Sequence, residues 1–227
     1  FSNGYSGTLF DDSADTLATD ASRSTVVPLV PEGALGAFVG LPAAGEWLLR
    51  IRDLADSDAG TLINWQLRVT TQSAAPSVTT EIYNTEPGPA VAIPDNGSFV
   101  SKTIEVSGAR SYLWDVDLNV DITSPTEPPV PPETEPQNFP DDLIVRLVDP
   151  NDRTVWISNG RARFFPYLEG RGFDDSAPRL VTSSAADDDE LIPEGALAAL
   201  IGSNPNGEWR LEVADTRPGG TPGSING

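Results

Sequence analysis

Apolar and polar residues alternate along several short stretches of this chain. From Glu46 to Asp53, Trp47, Leu49 and Ile51 fall on one side, with Leu48, Arg50 and Arg52 on the other. From Glu208 to Asp215, Trp209, Leu211 and Val213 alternate with Glu208, Arg210 and Glu212. Trp65, Leu67 and Val69 alternate with Gln66 and Arg68, and Trp114, Val116, Leu118, Val120 and Ile122 with Asp115, Asp117, Asn119 and Asp121. A period of two marks half-buried strands, whose apolar faces must cover one another. Asp142–Val148 is more continuously apolar and predicts an interior strand. The expected class is therefore all-β, an antiparallel β-sandwich, with Trp47 and Trp209 as core anchors.

Two of these strands sit inside a longer repeat. FDDSA at Phe10–Ala14, PEGAL at Pro31–Leu35 and GEW at Gly45–Trp47 lead into the strand that ends at Asp53. The same strings return at Phe173–Ala177, Pro193–Leu197 and Gly207–Trp209, ahead of Asp215. Order and spacing match, so the chain holds two copies of one unit. Between them, residues 72–92 are rich in Ser, Thr, Pro and Ala and predict an extended linker. A second Pro-rich stretch, Thr123–Pro140, lies between two strands of one unit and predicts a stiff loop, a passive insertion or a docking site.

Composition narrows the chemistry. The chain has no Cys and no His, which excludes disulfides, thiolate metal sites and a Ser-His-Asp triad. Acidic residues number 34 against 14 basic, a formal charge of −20. That argues against nucleic acid and anionic membranes as partners, and suits a solvated surface, high salt or divalent cations. No apolar run is long enough to span a bilayer, so membrane insertion is not expected. Lys102 is the only Lys.

Further motifs carry a family resemblance. The second unit opens with IPDNGSFVSKTIEVSG at Ile93–Gly108, continues with DDLIVRLVDPNDRTVWIS at Asp141–Ser158, and closes with FDDSA, PEGAL, GEW, Asp215 and GSING at Gly223–Gly227. The first unit closes with GTLINWQLRVT at Gly60–Thr70. Together these resemble the P domain, or homo B domain, of kexin- and furin-like proprotein convertases and of bacterial secreted proteins. The resemblance implies a jelly-roll-like β-sandwich, non-catalytic, in a secreted or cell-surface protein, commonly beside a subtilisin-like catalytic domain. The chain departs from the family where a His-containing segment often precedes D-L; the Pro-rich loop stands there instead.

The same pattern divides the chain into residues 1–71, the C-terminal half of a first P-domain-like unit; 72–92, a linker; and 93–227, a second unit short of its final strand. Two completions are open. Flanking residues of a longer chain supply the missing strands, or another copy does so by strand complementation.

Candidate chemistry is confined to carboxylates. Asp11, Asp12, Asp174 and Asp175 form the two FDD pairs, and Asp53, Asp56 and Asp58 cluster after the first GEW strand. Oxygen ligands at such spacing suit calcium, or else cap turns. Asp53 and Asp215 read as turn caps, because only the first Asp of that cluster recurs. The row Asp115, Asp117 and Asp121 and the run Asp187–Glu190 read as solvated surface. Asn96-Gly97-Ser98 fits both a glycosylation sequon and a plain turn. No pair is marked out as an acid beside a nucleophile, so an enzyme is not expected.

Three functions remain. The chain builds an extracellular assembly through contacts with copies of itself or with flanking domains. Alternatively it is an accessory to a subtilisin-like protease, or it binds a carbohydrate or another partner.

Overall fold

The longest strand, Gly207–Asp215, lies between two antiparallel neighbours and organises the fold. The computed structural model describes residues 7–21, 27–52, 60–123, 143–161, 168–183, 190–216 and 223–226. In chain order the strands are β1 (Thr16–Leu17), β2 (Leu29–Val30), β3 (Val91–Ala92), β4 (Val100–Val106), β5 (Leu118–Thr123), β6 (Leu143–Val148), β7 (Thr154–Asn159), β8 (Leu168–Phe173), β9 (Glu190–Leu191), β10 (Gly207–Asp215) and β11 (Ser224–Ile225). Two 3-10 turns, η1 (Leu35–Phe38) and η2 (Leu197–Leu200), follow from the PEGAL strings.

The second unit is a sandwich, as its alternation predicts. One sheet runs β4-β10-β6-β7 and the other β3-β11-β5-β8-β9. The core lies between them. Val145, Ile157 and Val213 from one sheet meet Ile122, Leu168 and Phe173 from the other, all nearly inaccessible. Trp209 is 7% exposed, and its indole N–H donates to the carbonyl of Pro205 at 2.7 Å. Strand β6 is interior, between β10 and β7, as its apolar run requires. Its Arg146 lies opposite Glu212 and pairs with it at 2.5 Å.

The β6–β7 turn is tied to η2 by an ion pair whose carboxylate is buried and whose guanidinium is partly exposed. Asp149 is fully buried and accepts the N–H groups of Asn151 at 2.9 Å and Arg153 at 2.8 Å. The Arg153 guanidinium bonds the same carboxylate and also donates to the carbonyls of Ala199 and Leu200, at 3.0 and 2.9 Å.

The first unit differs from its expectation. Residues 46–52 and 60–70 form no strand, and neither stretch has a ladder partner among the described residues. Their apolar residues stand exposed: Ile51 at 68%, Ile63 at 88% and Trp65 at 47%. Trp47 is only half-buried, edge-on to Phe38 at 5.3 Å, so it is not the core anchor that the alternation suggested. The cause is a lack of neighbours. Its counterpart Trp209 lies on a strand flanked by β4 and β6, and nothing equivalent flanks Trp47 among the described residues.

Two glycines report the same difference. A Cβ on Gly195 would meet the Trp156 backbone nitrogen at 2.9 Å, and one on Gly207 would meet Pro150 at 2.9 Å. At the matching Gly33 and Gly45 it would meet open space. The β6–β7 hairpin that wedges against the second unit has no counterpart on the first among the described residues.

Other boundaries shift. The strand expected from Trp114 begins at Leu118, because Leu113 is bonded to the turn after η2 through Ser203 and Gly202. Residues 72–90 carry no strand, yet Tyr83 packs against the second unit's core. Val91–Ala92, placed in the linker by sequence, pairs with β11. The Pro-rich loop lies outside the described residues apart from Thr123, which ends β5.

Candidate functional site

The FDD strings fold into the same structure twice. Asp11 N–H donates to Leu29 and Asp174 N–H to Leu191, each at 3.0 Å. Asp11 Oδ1 accepts the N–H of Ser13 at 2.9 Å, and Asp174 Oδ1 that of Ser176 at 2.6 Å. Both are Asx turns, in which a short side chain substitutes for a backbone acceptor. The Ser13 hydroxyl and N–H hold Asp11 below the usual carboxylate range.

The second acid of each pair reaches forward into the PEGAL turn. Asp12 accepts the N–H groups of Leu35 at 2.9 Å and Gly36 at 2.6 Å. Asp175 accepts those of Leu197 at 2.9 Å and Ala198 at 2.8 Å. These N–H groups open η1 and η2, where no backbone acceptor is in reach. The repeated FDD…PEGAL spacing is thus a bridge between two loops. Burial is the largest influence on Asp175 and pushes it up to about 6; the Ala198 and Leu197 N–H groups oppose this, and the charges of Asp12 and Asp174 add to it. Burial likewise raises Asp12, against its two N–H partners, with Asp11 adding to the rise.

The two turns also meet each other. Leu17, Val30 and Ala34 of the first unit form one small core with Ala196, against which Trp156 packs. Gly36 lies against Ala198 and Asp175. Arg161 crosses the boundary, pairing with Asp20 of the first unit and with Glu194 of the second, the latter at 3.0 Å. Arg161 also donates to the Thr19 hydroxyl at 2.5 Å, and Asn159 to Asp20 at 3.2 Å. Sequence reading missed Arg161, Asn159, Asp20 and Gly36. Comparison of the two copies could have found two of them: Gly36 stands where the second copy has Ala198, and Asp20 where it has Ser183.

The other carboxylates are scattered. Asp53, Asp56 and Asp58 lie outside the described residues, as do Asp187, Asp188 and Asp189. Among the described residues, no group of three or more His, Cys, Asp or Glu is arranged to hold a metal ion. Asp215 ends β10, where its carbonyl accepts the N–H of Gly97 at 2.7 Å. Asn96 Oδ1 accepts the N–H of Ser98 at 2.9 Å, the geometry of a turn. Asp115, Asp117 and Asp121 are exposed on the outer face. The Asp117 carboxyl is nevertheless crowded: loss of solvent first, then the charges of Asp115, Asp174 and Glu190, push it up to about 6.

These features define a β-sandwich module whose distinctive residues hold loops and a unit–unit contact. Residues 10–69 match the family model of the proprotein convertase P-domain, so the resemblance read from the motifs holds across the first unit. No curated protein matches the chain. The P-domain is a non-catalytic accessory module of subtilisin-like proteins, and the match speaks for the first unit. No helix among the described residues is long and apolar enough to cross a membrane.

Proposed function

We propose that this chain is a non-catalytic structural module of a large secreted or cell-surface protein, and that it works by packing P-type units against other domains or strands. One observation carries this reading. The first unit carries a GEW stretch whose twin, β10, is sandwiched between β4 and β6, while the stretch itself has no ladder partner among the described residues. Bare strands with apolar faces are templates for pairing.

The charge pattern says what would pair there. In the second unit Glu212 faces Arg146 across the sheet. Arg50 occupies the place of Glu212 in the first unit, so a complementary strand carries an acid opposite it. A secreted setting fits the P-domain match, and copies of the chain or flanking domains are the partners.

Hydrogen exchange across a concentration series tests the reading. Amides of Leu48–Arg52 and Trp65–Val69 are expected to gain protection as sedimentation shows larger species. Rapid exchange of both stretches in every species found would overturn it. The family match favours a second reading, an accessory domain that stabilises a subtilisin-like protease. A native particle of one protease with one such module would support that reading over the first.

A further inference from the structure

The two units meet through equivalent positions. Leu17, Thr19 and Glu32 of the first unit and Leu180, Thr182 and Glu194 of the second line the two sides of one narrow cleft. These residues are matched pairs in the repeat. Asp12 and Asp175 are also matched, Asp175 feels the charge of Asp12, and η1 touches η2. One face of the repeated unit has thus been placed against its own likeness.

The two faces differ where they press hardest. A Cβ on Gly36 would fall onto the Cβ of Ala198 and lie 2.5 Å from Asp175 Oδ2. The backbone at Gly36 is not left-handed, so nothing within its own unit demands glycine. The demand comes from across the boundary. A second unit laid on another second unit would bring alanine against Ala198, and two methyl groups into one space. A second difference has the same sense. Asp20, which pairs with Arg161, is replaced by Ser183 in the second unit. A second-unit face would therefore offer Arg161 a hydroxyl in place of a carboxylate.

We propose that the FDD–PEGAL face of the second unit is a selective recognition surface for a P-type unit that carries glycine at the Ala198 position and an acid at the Ser183 position. The partner it fits in this chain is the first unit, and it discriminates against copies of itself. Glycine provides fit, and the acid provides attraction for Arg161; alanine and serine at those places remove both. The inference deepens the assembly reading by naming one contact and its code. It rests on that reading for its purpose, and on the loop geometry for its mechanism.

The absence of cysteine permits a clean test. Nitroxide labels at Asp15→Cys and Ser176→Cys in the full chain report the distance between the two FDD turns. The parent is expected to give one narrow distance distribution at concentrations where sedimentation shows a monomer. Gly36→Ala is expected to broaden and lengthen it, and Asp20→Ser to broaden it further in the same background. Ala198→Gly added to Gly36→Ala is expected to narrow it again, while the melting of the second unit stays within a few degrees of the parent. A narrow distribution in Gly36→Ala would overturn the proposal. So would broadening that Ala198→Gly combined with Asp175→Ala does not reverse, because both second-unit neighbours of the new methyl group would then be gone and the effect would lie within the first unit. Exchange of the bare strands is a separate readout, so failure of the assembly reading would be seen independently.

Discussion

Asp149 is buried and Asp175 half-buried, and the two acids respond to pH in opposite ways. Asp175, like Asp117, holds its proton up to about pH 6 in the folded chain, whereas an unperturbed carboxyl releases it near 3.8. Between those values the folded state binds more protons than the unfolded one, so stability falls as pH rises through the window. The chain is expected to melt at a higher temperature near pH 5 than at pH 7. The double variant Asp117→Asn, Asp175→Asn should flatten that slope. An equal or lower melting temperature at pH 5 in the parent would contradict it. For Asp149, burial opposes ionisation, but bonds from Arg153 and Asn151 outweigh it and hold the pKa below 3.8. Its contribution is present above 3.8 and lost as pH falls further, which gives a second, acid limb with the opposite sign. Removing its partner tests the pair directly. Arg153→Ala leaves a buried carboxylate with backbone and Asn151 bonds alone, and is expected to cost about 3 kcal/mol in urea unfolding.

Identical strings produced unequal elements. GEW opens a nine-residue strand in the second unit, and in the first a stretch with no ladder partner among the described residues. Alternation reports which side of a strand is apolar; it does not report whether a neighbour is there to cover it. Truncation should expose this. Trp209→Ala is expected to cost the second unit about 3–5 kcal/mol, while Trp47→Ala costs far less, because Trp47 is only partly buried. Equal losses in thermal melts would mean that Trp47 is covered in solution. The sandwich itself was legible in the sequence, from the alternation of β10 and the continuous apolar run of β6. The FDD pairs were legible as turn formers, since short acids followed by Ser are a local signal. The reach of Asp12 and Asp175 to N–H groups more than 20 residues ahead was not, because a long-range bond leaves no periodic trace. Nor was the start of β5 at Leu118, which depends on Leu113 bonding to a distant turn.

At the scale of the molecule, acids outnumber bases by 34 to 14, yet the few arginines are not spread at random. Arg153 fastens a hairpin to a turn, Arg146 crosses two strands, and Arg161 crosses two units. In a chain with this excess of acid, these three cations sit where parts are held together. This is why net charge, read from sequence, described the solvent-facing surface well and the contacts poorly.

The meeting of like faces has a consequence in symmetry. When two copies of one patch are laid against each other, both are consumed, and no third unit can join through them. The FDD–PEGAL contact therefore counts to two and stops. Any growth beyond a pair must start from other surfaces, and the stretches around Trp47 and Trp65, without ladder partners among the described residues, are such surfaces. The same fold thus carries one joint that terminates and one edge that can extend.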